Sequence, residues 1–489
     1  MTQGSAPTGM IKCPLRSWAR RYGKRPALIG IDMTMSYEQL DGWVDSVAYR
    51  LQKSGVGYGD RVALICPPRW EYPVLLWALF RRQSVACPIS PRFPGETVST
   101  ILEETGCKTL IDAVGGLSGI SPPVIRWLCL SDLFDTMTRK GRPPEEDLCL
   151  LAPEPAGTIV LTSGSSGGPK AVLHNLSNHY WSAVGSNRNI PVTAGTRWLL
   201  SLPLYHVGGL GILFRTFLGG GAIVIPPSHA GLAEVLGTLP VTHLSLVATQ
   251  LYRLLRASPN VQRQTRLAAV LVGGGPTGAD RIAEAHDCGL PIRTTYGLTE
   301  MASQVTTTGP NEEKRRLATS GKVLKYRQVK IDRGEILVKG KTLFRGYVTT
   351  DGLSLPVDER GWFRTGDLGT VDSDGYLTLL GRKDNMFISG GENIHAEEVE
   401  ASFHRLPGVV EAVVVAVEDE EFGFRPVAFV RLREGKAVRR EDMVRRLAKD
   451  LPRFKIPDAI WEWPQEIPAG LKPDRGYFTK LARKRLRKN

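Results

Sequence analysis

The segment Leu161-Thr-Ser-Gly-Ser-Ser-Gly-Gly-Pro-Lys170 follows a predicted strand at 157–162 and precedes an apolar stretch that we interpret as the start of a helix. Glycine and serine leave backbone N–H groups free to surround phosphate oxygens, and the lysine adds a positive charge. It is not a Walker A loop, which needs Gly-Lys followed directly by Ser or Thr. A flexible linker is the alternative, but linkers do not stand between a strand and a helix start. We therefore interpret the segment as a phosphate-binding loop.

Predicted strands alternate with amphipathic helices around this loop. The strands are short apolar runs at 61–67, 157–162, 221–226, 267–274 and 335–340. A helix is predicted over 36–55, because Ser36 and Gln39 have the spacing of a capping box and the pattern ends at Gly55. This alternation indicates an α/β fold with parallel or mixed sheets.

A change of pattern near residue 384 divides the chain into two expected domains, 1–383 and 384–489. Before it, Asp-Gly at 374–375 predicts a hairpin in a turn-rich β segment. After it, the sequence predicts a helix, two strands joined by a hairpin turn and another helix. That is enough chain for a separate small domain. The polar junction at 381–385 is interpreted as a hinge.

Composition excludes several classes of protein. Of the 489 residues, 42% are hydrophobic and 23% charged, which argues against a disordered or fibrous chain. The best membrane candidate, PVLLWALF at 73–80, is far shorter than the roughly 20 apolar residues a spanning helix needs, and no secretory apolar run is seen near the N-terminus. The seven cysteines include no CxxC pair, which argues against a disulfide framework or zinc site. We expect a cytoplasmic protein with no transmembrane segment.

The formal net charge is +14, and the segment KLARKRLRKN at 480–489 contributes six basic residues and no acidic one. A nucleic-acid-binding tail is one interpretation, and a solvated helix end is the other. No nucleic-acid motif accompanies the tail, so we favour the solvated end and expect no nucleic-acid partner. A basic surface also suits small polyanionic ligands such as nucleotides.

Three further segments contain residues suited to nucleotide chemistry. In TTYGLTEMASQ at 294–304, Glu300 is a carboxylate that a magnesium ion would use near phosphates. In GWFRTGD at 361–367, Asp367 is an acceptor for a ribose diol. The fourth segment, GRKDNMFISGGENI at 381–394, joins the two expected domains.

Together the four segments resemble the core motifs of the adenylate-forming superfamily, which includes acyl-CoA synthetases, peptide-synthetase adenylation domains and luciferases. The resemblance extends from about residue 15 to 485. It implies a large N-terminal body of mixed and parallel sheets flanked by helices, a β-barrel-like subdomain, and a small mobile α+β C-terminal domain. It also implies that a carboxylate attacks ATP to give an acyl-adenylate and pyrophosphate, and that coenzyme A then displaces AMP.

Within the superfamily, six stretches are most similar to the branch that attaches coenzyme A to 2-succinylbenzoate in menaquinone biosynthesis. These stretches are LTSGSSGGPKAVLHN, WLLSLPLYHVGGLGILFR, HLSLVATQLYRLL, YGLTEMASQVTT, NMFISGGENIHAEEVE and DEEFGFRPVAF. The expected cofactors are ATP, Mg²⁺ and coenzyme A as co-substrate. The oligomeric state stays open, although members are often dimers or larger, so a homo-oligomer is one expectation.

The resemblance also implies residue roles for the nucleotide. Thr299 contacts the α-phosphate and takes part in catalysis, and Glu300 ligates Mg²⁺. The expected ATP-binding residues are Thr162, Ser163, Gly164, Ser165, Ser166, Gly167, Lys170, Gly274, Gly275, Pro276, Tyr296, Gly297, Thr299, Asp367 and Arg382.

Family members also carry a catalytic lysine near the C-terminus that bridges the carboxylate and the α-phosphate. The matching position is Lys472 in PAGLKPDR, and Lys480 is the alternative. Asp384 matches the hinge about which the small domain rotates between the two half-reactions. Ser389, Gly390 and Gly391 match the loop that lines the coenzyme A channel.

The acid substrate of the branch has two carboxylates, so the one that does not react needs a fixed cation. Arg215 is the only cation in a glycine-rich apolar stretch, and a carboxylate would pair with it bidentately. A structural salt bridge to another acid is the alternative. His206 orients the reacting carboxylate, gates the pocket or is structural, while Ser303 and Gln304 are expected to bind substrate oxygens.

Three other functions remain to be weighed. Another aryl- or acyl-CoA ligase would leave Arg215 unpaired if its substrate were a monocarboxylate. An enzyme that loads a carrier protein is disfavoured, because no phosphopantetheine-bearing domain follows in the chain and the ISGGENI loop resembles the branch that uses coenzyme A. A non-enzymatic basic scaffold would not explain why every motif position is filled.

Overall fold

The computed structural model describes residues 11–115, 120, 126–134, 150–151, 154–162, 169–257, 266–275, 277–390, 392–433, 439–465, 467 and 473–486. Two large mixed sheets form most of the structure before residue 326. A four-stranded antiparallel sheet follows, and the residues after 384 form smaller sheets of their own. The mixed α/β fold predicted from the sequence is confirmed.

The first large sheet has eight strands, and five of them are joined by four parallel pairings. In spatial order they are Gly352–Ser354, Gly346–Thr349, Lys170–Asn175, Ala156–Thr162, Val85–Pro88, Arg61–Ile65, Thr109–Asp112 and Arg126–Cys129. One expectation is corrected here: Lys170–Asn175 is a strand antiparallel to Ala156–Thr162, and the helix begins only at Leu176. The β-branched and apolar residues 171–173 pack in the sheet, so the glycine-rich segment connects two antiparallel strands.

The second large sheet has nine strands, and its central ones are parallel. In spatial order they are Lys322–Val323, Ser303–Thr307, Ile292–Leu298, Ala269–Val272, His243–Leu246, Arg197–Leu199, Ala222–Val224, Pro26–Ile29 and Thr34–Ser36. The carboxyl ends of the parallel strands meet at one edge, which is where open α/β sheets bind ligands. The glycines at 273–275 and the segment around Glu300 follow two of these ends.

The third sheet is antiparallel and contains Arg327–Asp332, Glu335–Gly340, Phe363–Val371 and Leu377–Arg382. The predicted hairpin at 374–375 joins its last two strands, and Gly375 has φ +85°, which suits a glycine. These four strands are paired as an open sheet, so closure into the barrel implied by the resemblance is not seen among the described strands.

The described residues after 384 contain two small sheets and three α-helices. The sheets are Met386–Ser389 with Glu392–His395, and Val409–Asp419 with Gly423–Leu432 and Ala459–Glu462. The helices are Ala396–His404, Arg440–Leu447 and Arg475–Leu486. They cover both faces of the three-stranded sheet with separate apolar cores, as the predicted helix–strand–strand–helix order requires.

Eleven further helices accompany the sheets among the described residues before 384. They are Pro14–Tyr22, Tyr37–Lys53, Glu71–Arg81, Gly95–Thr105, Leu130–Phe134, Leu176–Asn189, Val207–Gly219, Leu232–Thr238, Ala248–Ala257, Ala279–Asp287 and Lys314–Leu317. The predicted capping box is present: Gln39 N–H donates to Ser36 Oγ (3.2 Å), and Ser36 N–H donates to Gln39 Oε1 (2.8 Å). A short Ile11–Lys12 strand pairs with Leu150–Leu151.

The apolar run at 73–80 forms part of the fully buried helix Glu71–Arg81 in the largest core. Within the described part of the chain, no helix is both long and apolar enough to cross a bilayer. The last residue of this helix, Arg81, is buried with its charge neutralised: it forms ion pairs with Asp41 and with Asp45 (2.6 Å), and Arg16 pairs with the same two acids.

We predict that Arg81→Met lowers the free energy of unfolding by about 3–5 kcal/mol, because it leaves two largely buried carboxylates with one cation. Urea denaturation and thermal melting measure the effect. The control is Arg315→Met, whose ion pair with Glu313 is exposed and worth less than about 1 kcal/mol. Equal melting of the two variants would contradict a stabilising role for the buried cluster.

Candidate active site

The predicted phosphate loop begins and ends on neighbouring strands. Thr162 is the last residue of one strand and Lys170 the first of the next, and their Cα atoms are register partners. The intervening Ser163, Gly164, Ser165, Ser166 and Gly167 lie outside the described residues. The structure therefore shows that the two ends of the loop are held together by the pairing of two interior strands of the first sheet.

Tyr347 connects this loop to the predicted metal ligand. Lys170 Nζ lies 5.3 Å from the centre of the Tyr347 ring, and the Tyr347 hydroxyl donates a hydrogen bond to Glu300 Oε1 (2.7 Å). Burial, followed by the Glu300 charge, raises the pKa of Tyr347, so its hydroxyl stays protonated as a donor. No sequence pattern indicated Tyr347, which comes from a different strand, Gly346–Thr349.

Glu300 suits a magnesium ion held together with nucleotide phosphates. It lies in the 3₁₀ turn Thr299–Met301, directly after the carboxyl end of Ile292–Leu298, and one of its oxygens already accepts from Tyr347. Mg²⁺ usually takes only one or two carboxylates and completes its shell with phosphate oxygens and water. A single carboxylate beside the phosphate loop therefore fits this ion.

The turn that carries Thr299 rests on a buried histidine. His174 Nε2–H donates to the Thr299 carbonyl oxygen (2.8 Å), which links the first sheet to the second. Burial lowers the pKa of His174 to about 4, so the ring is neutral at physiological pH. This contact holds Thr299 and Glu300 at the meeting point of the two sheets.

The residues predicted to bind adenosine form one hydrogen-bonded group. The Tyr296 hydroxyl donates to Asp367 Oδ2 (2.6 Å), and Arg382 donates to Asp367 Oδ1 (3.0 Å) and to Asp384 Oδ2 (3.1 Å). Burial and then the Asp367 charge raise the pKa of Tyr296. Asp367 and Arg382 are register partners on adjacent strands, so the sheet itself fixes this pair.

The predicted glycines allow close backbone approach near that group. Gly274 has φ +81°, and Gly275 follows it after strand Ala269–Val272, while Pro276 lies outside the described residues. At Gly297, a Cβ would lie 2.3 Å from the Ser303 carbonyl oxygen, at a bulge between two antiparallel strands. Any side chain at 297 would therefore push the Glu300 turn away from its position.

Arg215 is buried in helix Val207–Gly219 and forms no ion pair with any described residue. Its Nε–H donates to the Gly211 carbonyl (2.7 Å), and its guanidinium lies 4.8 Å from the Trp198 ring centre. Nη1 has no hydrogen-bond partner within the described part of the chain. Burial lowers the pKa of Arg215 to about 9. The structural salt bridge considered as an alternative is therefore not found among the described residues.

Of the three other predicted substrate residues, Ser303 lies close to Arg215, whereas the Gln304 amide has partners within the protein. A Cβ on Gly211 would lie 2.6 Å from Arg215 Nη2 and 3.2 Å from Ser303 Oγ, so these side chains converge on one point. Gln304 was expected to bind substrate oxygens. Instead its amide is used inside the protein: Ser186 Oγ donates to its Oε1 (2.7 Å), and its Nε2 donates to Thr307 Oγ1 (2.7 Å).

The third, His206, directly precedes the helix that carries Arg215. Its ring packs edge-on against Tyr205, with 4.7 Å between ring centroids. The structure thus places it next to the first turn of the helix, and its role with the reacting carboxylate stays a prediction.

The hinge and coenzyme A predictions fall on adjoining segments. Asp384 lies in the 3₁₀ turn Lys383–Asn385 and pairs with Arg382. Ser389 is buried at the end of Met386–Ser389, where Arg425 donates to its Oγ (3.4 Å), and Gly390 has φ +56°. Gly391 and the predicted catalytic Lys472 lie outside the described residues.

Helix Arg475–Leu486, just beyond Lys472, is anchored by its first residue. Arg475 donates to both carboxylate oxygens of buried Glu400 (2.6 and 3.1 Å). Arg475 Nη2 also lies 3.6 Å from Glu397 Oε1. The same Glu397 oxygen accepts a hydrogen bond from Asn385 Nδ2 (2.5 Å), next to the proposed hinge residue Asp384. Lys480, the alternative to Lys472, is exposed on this helix.

Comparison with known proteins identifies relatives of the whole chain. The AMP-binding enzyme family matches residues 15–348, and the AMP-binding enzyme C-terminal domain matches 398–469. The 2-succinylbenzoate–CoA ligase of Geobacillus kaustophilus is 32% identical over 473 residues, covering 92% of this chain and 91% of the relative. That of Bacillus subtilis is 30% identical over 447 residues, covering 89% and 90%.

Solved structures agree with these relatives. The o-succinylbenzoate CoA synthetase (MenE) of Bacillus subtilis in complex with the acyl-adenylate OSB-AMP is 29% identical and has a TM-score of 0.87, covering 96% of this chain and 98% of that one. The same enzyme with ATP and magnesium ion is 28% identical, with a TM-score of 0.85 and coverage of 96% and 100%. A variant of Escherichia coli MenE with bound OSB-AMS is 29% identical, with a TM-score of 0.83 and coverage of 97% and 99%.

The buried histidines predict loss of stability in acid. The pKa of His174 is about 4 in the folded protein and 6.5 in the unfolded chain. As the pH falls below 6.5, protons bind to the unfolded ring but not to the folded one, and the free energy of unfolding decreases. This one group costs about 2 kcal/mol between pH 7 and 5. His174→Gln should reduce the pH dependence of the free energy of unfolding by that amount in urea titrations. His229→Gln, at an exposed position, should leave the dependence unchanged; an equally steep dependence in His174→Gln would refute the assignment.

Proposed function

This chain belongs to the AMP-binding enzyme family, and we propose that it ligates 2-succinylbenzoate to coenzyme A through an acyl-adenylate in menaquinone biosynthesis. It is an AMP-forming acid–thiol ligase that uses ATP, Mg²⁺ and coenzyme A. Relatives that share about nine-tenths of its length carry this activity in their names, and related structures hold the acyl-adenylate or ATP with magnesium.

The observation that carries the substrate assignment is the unpaired guanidinium of Arg215. A buried charge is costly unless an opposite charge and hydrogen bonds meet it. 2-Succinylbenzoate has two carboxylates, so one can react while the other meets Arg215 and the nearby Ser303 hydroxyl. A monocarboxylate would leave the cation unpaired.

In the first half-reaction, a carboxylate oxygen of the acid attacks the α-phosphorus of ATP, and the bond to the β-phosphate oxygen breaks to release pyrophosphate. The reactants are both anions, so their encounter needs positive charge and N–H donors. We propose that the 163–170 loop holds the β- and γ-phosphates, that Thr299 contacts the α-phosphate and that Glu300 ligates Mg²⁺, which offsets phosphate charge when bound. Lys472 bridges the reacting carboxylate and the α-phosphate.

In the second half-reaction, the thiol sulfur of coenzyme A attacks the acyl carbon, AMP leaves with the bonding electron pair, and the thiol loses its proton. We propose that residues 384–489 rotate about Asp384 between the steps. The segment Ser389–Gly391 then lines the path of the pantetheine arm. Tyr296 and the glycines at 274–275 enclose the adenine, and Asp367 with Arg382 binds the ribose.

A cytoplasmic location and a homo-oligomeric assembly belong to the same proposal. The described cysteines, Cys13, Cys66, Cys87, Cys107, Cys129 and Cys288, are all unpaired, and the first four are buried. Free thiols of this kind support a reducing compartment.

We predict that the wild-type enzyme releases pyrophosphate with 2-succinylbenzoate far faster than with benzoate, succinate or a medium-chain fatty acid. Arg215→Ala should lower kcat/KM for succinylbenzoate roughly 30- to 1,000-fold, because the second carboxylate loses a buried charged partner. The control is Arg256→Ala, whose pairing with Glu284 is exposed. Comparable turnover of another acid, or an unaffected Arg215→Ala, would retain adenylate chemistry and reject the substrate assignment.

The two half-reactions separate the candidate lysines. Lys472→Ala should slow pyrophosphate release by roughly 100-fold or more, the cost of losing one charge that stabilises the transition state. The same variant should still convert supplied succinylbenzoyl-adenylate and coenzyme A to the thioester. Lys480→Ala serves as the matched control, and the reverse pattern would move the catalytic role to Lys480.

A further inference from the structure

The turn that carries Ser303 has an unusual backbone conformation. Ala302 has φ +51° and Ser303 has φ +116°, backbone values that residues other than glycine rarely adopt. The turn lies between the 3₁₀ turn Thr299–Met301 and the strand Ser303–Thr307. It therefore connects the residues proposed to act on ATP with the residue that faces the substrate beside Arg215.

One guanidinium holds both sides of this turn. Arg327 Nε–H donates to the Gln304 carbonyl (2.6 Å), and its Nη2–H donates to the carbonyl and the hydroxyl of Ser182 (3.0 and 3.1 Å). Ser182 Oγ–H in turn donates to the Ala302 carbonyl (2.9 Å). All these groups are buried, so the strained conformation is fixed by a buried hydrogen-bond network.

The guanidiniums of Arg327 and Arg215 each lie where a glycine on a helix has no side chain. A Cβ on Gly185 would lie 2.3 Å from Arg327 Nη1, and a Cβ on Gly211 would lie 2.6 Å from Arg215 Nη2. Any larger residue at either glycine would displace the guanidinium. Each guanidinium thus packs against a glycine of a helix, that of Arg327 against Leu176–Asn189 and that of Arg215 against Val207–Gly219, and both lie near residues 302–304.

The charge of Arg327 is not neutralised by the described residues. Its acceptors are carbonyl oxygens and a hydroxyl, and it forms no ion pair within the described ranges. Burial and then the neighbouring charge of Arg215 lower the pKa of Arg327 to about 9. Two buried positive charges therefore flank Ser303, and neither meets a described carboxylate.

We propose that Arg327, acting through Ser182, is a positioning residue that locks the Ala302–Ser303 turn, and that its unneutralised charge favours acids with a second carboxylate. This inference rests on the proposed function. Arg327 does not itself touch the substrate: it fixes the place of the Ser303 hydroxyl and adds to the positive potential in which Arg215 meets the carboxylate.

The two parts of the proposal separate in variants. Steady-state pyrophosphate release is measured with 2-succinylbenzoate and with benzoate on Arg327→Met, Arg327→Lys and Ser182→Ala, together with thermal melting. Arg327→Met should reduce the preference for succinylbenzoate over benzoate at least 10-fold. Arg327→Lys keeps the charge but cannot hold both sides of the turn, so it should retain the preference and lower kcat for both acids.

Ser182→Ala removes the hydroxyl bridge alone and should lower kcat with the preference intact, and it keeps the test decisive if Arg327→Met does not fold. Ser177→Ala, the same change elsewhere on this helix, is the control and should match the wild type. Variants whose preference and kcat stay at wild-type values while melting falls would assign Arg327 a structural role only and overturn the inference. A wild-type enzyme inactive with succinylbenzoate overturns the proposed function instead, and one that prefers benzoate overturns both.

Discussion

The site depends on one electrostatic constraint: the guanidinium of Arg215 is buried and meets no carboxylate among the described residues. The guanidinium of Arg215 lies over the Trp198 ring and donates a hydrogen bond to the Gly211 carbonyl. The electron-rich face of an aromatic ring attracts a cation, so the Trp198 ring offsets part of the free-energy cost of removing the guanidinium from water. It still lacks a full counter-charge among the described residues, and a bound anion would lower its free energy more than any apolar ligand could.

Compare Arg81, which is as buried as Arg215 but neutralised by Asp41 and Asp45. The same fold therefore contains a buried guanidinium whose charge is neutralised by carboxylates and another, that of Arg215, which meets no carboxylate among the described residues. The difference is positional: Arg81 ends a helix in the interior of the first core, whereas Arg215 converges with Ser303 beside the turn that follows the carboxyl end of a strand. A cation left unpaired at a ligand-binding edge of a sheet is stabilised by what binds there.

Local sequence signals predicted much of the fold. Local sequence patterns sufficed for the capping box at Ser36 and Gln39, the hairpin at 374–375 and the strands predicted at 157–162 and 335–340, because each depends on neighbours in sequence. The segment after Lys170 could not, because a short apolar run is equally compatible with a buried strand and a helix start. Its pairing with Ala156–Thr162 decided between them.

The contacts that the sequence could not predict join distant residues. Arg327 reaches Ser182 across 145 positions, and Gln304 reaches Ser186 across 118. Motif resemblance pointed to residues that are proposed to contact ligands, and it did not indicate Tyr347, Ser182 or Arg327, which contact those residues or their neighbours. The prediction that Gln304 binds substrate came from its position after Glu300 and from its polarity, and polarity alone does not show that an amide also has protein partners such as Ser186 and Thr307.

The proposed hinge lies next to two contacts of Arg382 that differ in strength, one with Asp367 and one with Asp384. Arg382 holds Asp367 through strand register, so this contact moves with the third sheet and persists in any orientation of the small domain. Its second contact, with Asp384, is half exposed on both sides, and ion pairs of that kind contribute about 0–1 kcal/mol. Rotation at Asp384 would therefore break only the weak Arg382–Asp384 ion pair, while the Arg382–Asp367 pair proposed to bind the ribose would stay intact. If the proposed hinge and ribose site are correct, a hinge placed one contact beyond the Asp367–Arg382 pair would let the small domain change its contacts for the second half-reaction without releasing the adenylate.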